Sequence, residues 1–336
     1  MPGRPRAALA MWTDSADAVF DADTLRALGE VCDLVPPPVL DDFTTDHARA
    51  VLAEVEVLVT GWGCPRLTET VLAGAPRLRA VVHTGGSVRD QVTQACWDRG
   101  VEVSSAAAAN ALPVAEYTVA MILLSGKHVL ERARHHHAVR RADDWLRTPR
   151  TIGNFGRTIG VLSASTIGRR VVELLRPFDF HVLLHDPYVT PEEAAALGVE
   201  LVGLPMLFSR SDLVSVHAPL LPETRGLVGR DLIDAMRPGA VLLNTARGAV
   251  VDQEALTDAV RENRVRAVLD VTHPEVLPPH HPLWDSPNVL ITPHLAGSQG
   301  NEWHRLAHAA TAEVDRWARG QGFANPVRHE LFGRIA

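Results

Sequence analysis

The segment that runs TIGVLSASTIGRRVVELL from Thr158 has the composition of a strand, a tight turn and a helix. A further strand follows and ends at HDPY, so that Asp186 stands at its tip. A helix N-terminus directly after a strand can bind a pyrophosphate, and an acid at the next strand end can bind ribose hydroxyls. The spacing therefore predicts a dinucleotide-binding unit. Its candidate residues are Ser163, Ser165, Thr166, Ile167, Gly168 and Asp186.

The turn departs from the usual glycine pattern, because Ser163 and Ser165 occupy the first two glycine positions and only Gly168 remains. Serine is small and its hydroxyl can donate to a phosphate, but a positive φ at either position would cost about 1–2 kcal/mol. The pattern alone leaves a Rossmann-like unit without phosphate binding as an equal alternative. Asp186 would repel a 2′-phosphate and so favours NAD over NADP, although it also fits a plain turn residue before Pro187.

Short β-branched runs alternate with amphipathic stretches along the chain, which predicts parallel βαβ units. The predicted strands are 55–60, 78–83, 158–163, 181–185, 212–217 and 240–244. The predicted helices include 168–176, 252–261, a long one from Asn110 to about Arg141, and a tail helix over 301–319. His217 ends a strand beside the predicted nucleotide site and is expected to face the cofactor, because ligands bind beyond the carboxyl ends of such strands.

Composition excludes several classes of protein. The 336 residues carry a net charge of −7, which argues against a nucleic-acid-binding domain. Three cysteines (Cys32, Cys64 and Cys96) make a disulfide framework improbable and favour a reducing, cytoplasmic location. We expect no membrane span, signal peptide or metal site, and we interpret the histidine run at 135–137 as an exposed helix end.

Three downstream segments carry a family resemblance. They are 211–229 (SDLVSVHAPLLPETRGLVG), 236–256 (MRPGAVLLNTARGAVVDQEAL) and 269–298 (LDVTHPEVLPPHHPLWDSPNVLITPHLAGS). With GWGCP, TGGS and NALPVAEYT in the first half, the chain resembles the D-isomer-specific 2-hydroxyacid dehydrogenases over nearly its whole length. The resemblance implies a catalytic trio of Arg247, Glu275 and His294.

The chemistry of these enzymes suits the three residue types. An arginine fork can hold the carboxylate of a 2-oxo acid and polarise its ketone. A histidine can exchange a proton with the ketone oxygen near neutral pH, and a carboxylate on its other nitrogen fixes the tautomer and favours the charged form. Around Glu275 the chain departs locally from the family, with Thr272 where an aromatic residue is common and proline before the glutamate. His273 is therefore the alternative to Glu275.

The resemblance also assigns binding residues. Thr245, Ala246 and Asp270 are expected near the nicotinamide. The loop Thr84, Gly85, Gly86 and Ser87 is expected to bind the substrate carboxylate through its N–H groups, although a plain turn is the alternative, and Gly86 and Arg89 depart from the family pattern. Trp62 either walls the substrate side-chain pocket or covers the domain core. Asn110 is interpreted as a possible N-cap of the long helix.

The sequence thus predicts an α/β protein with two Rossmann-like, doubly wound, parallel-sheet domains around a cleft. The cofactor domain is expected over 108–298 and a discontinuous substrate domain over 1–107 and 299–336. The predicted function is an NAD-dependent oxidoreductase for a small 2-oxo/2-hydroxy acid pair, dimeric through the cofactor domain. Because the glycine pattern is altered, the alternative is a cofactor-sensing or interaction protein with little turnover on the same fold.

Overall fold

The computed structural model describes residues 4–142 and 145–332. The chain divides into two compact units, unit 1 (residues 1–111 and 298–336) and unit 2 (residues 112–297). Unit 1 is discontinuous in sequence. The functional domain boundaries predicted above, after residues 107 and 298, remain predictions.

Unit 1 is built on a five-stranded, wholly parallel sheet in the order β2-β1-β3-β4-β5. Its strands are β1 (Arg6–Ala10), β2 (Asp33–Val39), β3 (Val57–Thr60), β4 (Ala80–His83) and β5 (Glu102–Ser105). Its helices are α1 (Thr13–Val19), α2 (Ala22–Val31), α3 (Asp46–Leu52), α4 (Glu69–Ala73), α5 (Gln94–Asp98), α13 (Trp303–Ala318) and α14 (His329–Phe332). The residues of β3 and β4 are buried throughout, as expected when helices cover both faces.

Unit 2 contains a seven-stranded parallel sheet in the order β12-β11-β10-β9-β6-β7-β8. Its strands are β6 (Thr158–Leu162), β7 (His181–His185), β8 (Glu200–Leu201), β9 (Leu213–Val216), β10 (Ala240–Asn244), β11 (Val265–Leu269) and β12 (Val289–Ile291). The helices are α7 (Val129–Val139), α8 (Thr166–Leu175), α9 (Pro191–Leu197), α10 (Leu204–Arg210), α11 (Arg230–Asp234) and α12 (Gln253–Arg261). Short 3-10 helices lie at Trp145–Arg147, Gly248–Val250 and, in unit 1, Gly300–Glu302.

The predicted fold class is confirmed, since both sheets are parallel and doubly wound. In each sheet the strand order reverses once, between β1 and β3 in unit 1 and between β6 and β9 in unit 2. Open α/β sheets bind ligands at the carboxyl ends of the strands beside such a reversal. Ligand-binding residues are therefore expected in the turns after β1, β3, β6 and β9.

The prediction of one long helix from Asn110 to about Arg141 was wrong. The structure has α6 (Ala107–Gly126), which begins in unit 1 and continues in unit 2, and a separate α7. A Cβ on Gly126 would lie 1.8 Å from Oδ1 of Asn154, so the loop at 153–154 crosses the helix there. His128 then adopts a φ of +52°, which redirects the chain.

By length and composition alone, α6 could cross a bilayer, which the sequence analysis did not expect. Its side chains Ala115, Val119 and Ile122 are buried in a core cluster with residues of β6, β9, β10 and β11. This packing is that of a core helix beneath a sheet.

Candidate active site

The three predicted catalytic residues follow three neighbouring strands of unit 2. Arg247 comes after β10, Glu275 after β11 and His294 after β12, and these strands are adjacent and parallel. The carboxyl ends of parallel neighbours lie at one edge of the sheet, about 5 Å apart from strand to strand. Residues that are 47 positions apart in sequence, Arg247 and His294, therefore reach the same edge.

Glu275 and His294 are in direct contact. Oε1 of Glu275 lies 2.6 Å from Nδ1 of His294, the length of a strong charge-assisted hydrogen bond. About half of each side chain is exposed, 58 % for Glu275 and 51 % for His294. The carboxylate accepts the proton of Nδ1, and the other ring nitrogen is therefore the one that can exchange protons with a ligand.

The loop that carries His294 is held by Asp270. One carboxylate oxygen of Asp270 accepts from the Thr292 hydroxyl (2.6 Å) and the Leu295 N–H (2.9 Å), and the other accepts from the Ala296 N–H (2.9 Å). The backbone N–H of His294 donates to the Asp270 carbonyl, and His294 itself has a φ of +52°. A left-handed conformation is costly for a non-glycine residue, so this network fixes the imidazole's position. The predicted contact of Asp270 with the cofactor stays a prediction.

The turn that carries Glu275 is closed by Thr272, whose hydroxyl donates to the carbonyls of Pro274 (2.7 Å) and Glu275 (2.8 Å). Gly248 packs against the same turn, because a Cβ on it would lie 2.1 Å from the carbonyl atoms of Thr272. Close backbone approach here requires glycine. The turn of Arg247 and the turn of Glu275 are thus in contact, and His273 is not the residue that meets His294.

The Asn244 side chain shapes the turn before Arg247. Its amide oxygen accepts from the Ala246 N–H and its amide nitrogen donates to the Arg247 carbonyl, both at 3.0 Å. Nη1 of Arg247 donates to the Ala246 carbonyl at 2.7 Å, and the half-buried guanidinium makes a further contact. Thr245 is buried beside Thr118 of α6, with their hydroxyl oxygens 3.3 Å apart.

The turn after β6 has the strain that the sequence analysis anticipated, because Ser163 has a φ of +80°. Its hydroxyl donates to Oδ2 of Asp186 (3.1 Å), and the next N–H, of Ala164, donates to the same oxygen (2.8 Å). The N–H of Tyr188 donates to the other oxygen of Asp186. The acid at the end of β7 therefore stabilises the serine-containing turn after β6.

Helix α8 begins immediately after this turn. Ser165 is its N-cap and accepts from the Gly168 N–H at 3.3 Å. Thr166 and Ile167 form the first turn, where N–H groups have no acceptor within the helix itself. A Cβ on Gly168 would lie 2.0 Å from the Ser163 carbonyl oxygen, so Gly168 is needed for close packing of helix and turn. The residues present fit a pyrophosphate at this helix N-terminus.

His217 lies at the end of β9, across the strand-order reversal from Ser163. Its ring is buried, Nε2 is 2.8 Å from the Ser215 hydroxyl, and Nδ1 has no hydrogen-bond partner among residues 4–142 and 145–332. Burial lowers the pKa of His217 to about 3, which keeps the ring neutral. Gly168 also packs beside it, since an added Cβ would contact that of His217 at 3.5 Å.

The predicted substrate loop lies in unit 1, after β4. Thr84 is buried and its hydroxyl donates to the Thr60 carbonyl at 3.0 Å. A Cβ on Gly85 would lie 2.6 Å from Nε2 of the buried His83, so this loop is folded tightly over that ring. The Thr84 N–H donates to the Thr60 carbonyl at 2.7 Å, and Gly86 and Ser87 are half-buried. The predicted binding of a carboxylate by this loop stays a prediction. Trp62 follows β3 and is 42 % exposed, and the choice between its two predicted roles stays open.

Asn110 is not a helix N-cap, because α6 already begins at Ala107. Its side-chain oxygen accepts from the Ser298 N–H at 3.0 Å, and its side-chain nitrogen lies 3.8 Å from where a Cβ of Gly86 would stand. Asn110 therefore ties the Ser298 turn to the edge of the predicted substrate loop within unit 1.

Sequence reasoning missed the residues that hold the site together. Asn244, Thr272 and Gly248 act through turns, and only the position of Asn244 at a strand end, where asparagine often bonds nearby backbone, carried a usable signal. Within the described parts of the chain there is no group of three or more His, Cys, Asp or Glu residues arranged to hold a metal ion.

Comparison with known proteins gives consistent matches. A family model described as D-isomer specific 2-hydroxyacid dehydrogenase, NAD binding domain, matches residues 120–296. D-3-phosphoglycerate dehydrogenase of Mycobacterium leprae is 38 % identical over 314 residues, which cover 93 % of this chain and 55 % of that protein. Glyoxylate reductase of Aeropyrum pernix is 33 % identical over 311 residues, 90 % of each chain.

Among solved structures, the TT0316 protein of Thermus thermophilus matches with a TM-score of 0.74 and 29 % identity, over 96 % of this chain and all of that one. The chain spans about half the length of the D-3-phosphoglycerate dehydrogenases that it matches, 55 % for the Mycobacterium leprae protein, and nearly all of the length of the glyoxylate reductase.

Proposed function

The chain belongs to the family of D-isomer specific 2-hydroxyacid dehydrogenases, and from this premise we propose that it is an NAD-dependent oxidoreductase that interconverts a 2-oxo acid and a D-2-hydroxy acid. The observation that carries the proposal is the 2.6 Å contact between Glu275 and His294, at the same sheet edge as Arg247. An acid-supported imidazole and a guanidinium are the groups that carbonyl reduction needs.

In the proposed reaction Arg247 binds the substrate carboxylate and polarises the ketone oxygen. His294, with its Nδ1 proton held by Glu275, donates the proton on its other nitrogen to that oxygen and returns to the neutral tautomer. When bound, NADH would supply the hydride to the carbonyl carbon. One hydride and one proton convert the ketone to the hydroxyl, and the reverse reaction uses neutral His294 as the base.

The cofactor residues would lie along the carboxyl edge of the unit 2 sheet. Thr166, Ile167 and the Ser163–Ser165 turn would hold the pyrophosphate, Asp186 the adenosine ribose, and His217, Thr245, Ala246 and Asp270 the nicotinamide half. From β7 to β10 the strands span about 14 Å, so one ligand that reaches both ends must be extended. The negative charge of Asp186 disfavours a 2′-phosphate, which predicts NAD over NADP.

The loop of Thr84, Gly85, Gly86 and Ser87 is also proposed to bind the substrate carboxylate, through N–H groups other than that of Thr84, which donates to the Thr60 carbonyl. We further propose a cytoplasmic homodimer that associates through unit 2. The three cysteines are unpaired thiols, which fits a reducing compartment. Light scattering on the purified protein tests the dimer, with a monomer contradicting it.

The experiment that tests the function follows the absorbance of the reduced nicotinamide after glyoxylate, hydroxypyruvate or phenylpyruvate is added, with NADH and NADPH in parallel. We expect oxidation of NADH with at least one acid and slower oxidation of NADPH. If NADH binds but is oxidised by none of the 2-oxo acids, the result would instead favour the cofactor-sensing alternative.

A further inference from the structure

The strand order of unit 1 also reverses, and the turns at that reversal play no part in the proton and hydride transfers described above. The chain goes from β1 to β2 on one side and returns to β3 on the other. The crevice outside the carboxyl ends of β1 and β3 is therefore where an open sheet of this order binds a ligand.

Two tryptophans stand at this place. Trp12 comes two residues after β1 and Trp62 two residues after β3, and the N–H of Trp12 donates to the Trp62 carbonyl at 2.9 Å. The two residues are 61 % and 42 % exposed. Trp62 was predicted as a candidate site residue from the sequence, and Trp12 was not.

The Trp12 ring is held in place although it is exposed. Gly63 has a φ of +84°, and a Cβ on it would lie 2.2 Å from atoms of the Trp12 ring. The turn after β3 is thus shaped around the indole. A single exposed apolar residue needs no explanation, but two adjacent tryptophans at a ligand-binding position, one of them packed on a glycine, form an apolar patch of the kind that marks binding sites.

The two turns beside the pair carry no charged side chain. The turns at 61–64 (GWGC) and 84–87 (TGGS) contain no ionisable side chain other than Cys64, and burial raises the pKa of that thiol to about 12, so it is neutral. Outside these turns, the exposed charged residues near in sequence include Asp14 and Arg66, whereas Arg89 is half-buried and donates to the Phe332 carbonyl. A phosphate is normally bound by several cations or N–H groups together.

The two tryptophans and the Thr84–Ser87 loop follow one another along the same edge of the sheet. β3 lies between β1 and β4, so Trp62 stands between Trp12 and the Thr84–Ser87 loop. The loop is the proposed site of the substrate carboxylate, and the next groups along the edge are the indoles. A substrate held by its carboxylate at the loop would point its side chain at an aromatic surface.

We propose that Trp12 and Trp62 bind the side chain of the 2-oxo acid and that the substrate therefore carries a large apolar group, aromatic or branched aliphatic. This inference rests on the proposed function. It excludes glyoxylate, which has no side chain, and a phosphorylated 2-oxo acid as the preferred substrates.

The test compares kcat/KM for phenylpyruvate, 4-methyl-2-oxopentanoate, glyoxylate and 3-phosphohydroxypyruvate in the full chain with NADH. We expect the two apolar acids to exceed the other two by about tenfold or more, since one or two methylenes in an apolar pocket are worth that much. Trp62→Ala and Trp12→Phe should each reduce the ratio of phenylpyruvate to glyoxylate, Trp62→Ala by about tenfold. Phenylalanine is chosen at position 12 in place of alanine because it keeps an aromatic ring packed on Gly63, so that the variant can still fold.

Phe155→Ala is the matched control. Phe155 is 89 % exposed and precedes β6, at the amino edge of the other sheet, so its removal should leave the ratio unchanged. A preference for glyoxylate or for the phosphorylated acid would overturn the substrate class and leave the dehydrogenase function intact. An unchanged ratio in both tryptophan variants would also overturn it. A lack of NADH oxidation with all four acids would overturn the proposed function itself.

Discussion

Nδ1 of His294 lies 2.6 Å from Oε1 of Glu275, although 18 residues and the strand β12 separate the two in sequence. The contact depends on two turns that are each fixed by hydrogen bonds of neighbouring residues, Thr272 on one side and Asp270 on the other.

Replacement of His294 by glutamine removes the proposed proton donor. We expect reduction of the best 2-oxo acid to fall by about 10²–10⁴-fold, the usual contribution of a general acid. The affinity for NADH, measured by fluorescence titration, should remain nearly unchanged. His181→Gln is a matched control, because His181 forms a similarly exposed pair with Glu200 at 2.8 Å. A comparable loss of NADH affinity in His294→Gln would show that His294 belongs to the cofactor site instead.

Glu275→Gln keeps a hydrogen-bond acceptor on Nδ1 but replaces a charge-assisted hydrogen bond by a neutral one. A hydrogen bond to a charged group is worth about 1.5–3 kcal/mol, so kcat for reduction should fall by about 10- to 100-fold. Steady-state kinetics measure the effect, and Glu200→Gln serves as the control. If His273→Gln lowers kcat and Glu275→Gln does not, the assignment of the acid is wrong.

Gly248→Ala tests the contact between the two turns. The added Cβ would meet the Thr272 carbonyl at 2.1 Å, which is backbone and must shift. We expect a loss of about 1–3 kcal/mol in the free energy of unfolding of unit 2 together with lower kcat/KM. Gly203→Ala is the control, since nothing lies within 4 Å of its added Cβ. Equal thermal midpoints and activities in the two variants would contradict the close approach.

Two variants of Ser163 measure the conformational free energy that a non-glycine residue costs at this position. Ser163→Ala loses the hydrogen bond to Asp186 and retains the positive φ, whereas Ser163→Gly loses the hydrogen bond and relieves the strain. The glycine variant should therefore be more stable than the alanine variant by about 1–2 kcal/mol in chemical denaturation. It should bind NADH as tightly as the original chain or more tightly. Marked weakening of NADH binding would mean that the serine hydroxyl is itself a ligand.

Because His217 is buried, we expect the folded chain to lose stability at acid pH. Its pKa falls from an ordinary 6.5 to about 3 because burial disfavours the charged ring. Below pH 6.5 the unfolded chain therefore binds a proton that the folded chain does not, and stability falls progressively as the pH falls from 6.5 toward about 3.

His217→Asn should flatten this dependence of the thermal midpoint on pH. His83 in unit 1 has a pKa lowered to about 4 by burial and contributes a separate part of the effect, so His83→Gln provides the comparison. A slope that is the same in the original chain and in both variants would show that neither ring is neutral and buried.

Much of the fold followed from local pattern. The strands β7 and β10 lie where the β-branched runs predicted them, and α12 begins one residue after the predicted start because Asp252 is its N-cap. The break between α6 and α7 was not predicted; it falls at Gly126, against which Asn154, a residue 28 positions further along the chain, packs. Apolar periodicity carries no information about such contacts.

The catalytic residues of the site could be predicted from the sequence, but the residues that hold their turns in place could not. Arg247, Glu275 and His294 stand in segments with a recognisable order, but the roles of Thr272, Asp270 and Gly248 depend on which turns meet across neighbouring strands. Trp12 was overlooked because its partner Trp62 is 50 residues away in sequence and only the sheet order brings the two together.

The central claim is that this chain reduces a 2-oxo acid with NADH through His294 and Glu275. Its most direct test is the rate of NADH oxidation by the purified chain with a panel of 2-oxo acids, alongside His294→Gln. The account predicts turnover in the original chain and its near abolition in the variant, with both binding NADH. Absence of turnover with every acid, or equal turnover in the two proteins, would contradict it.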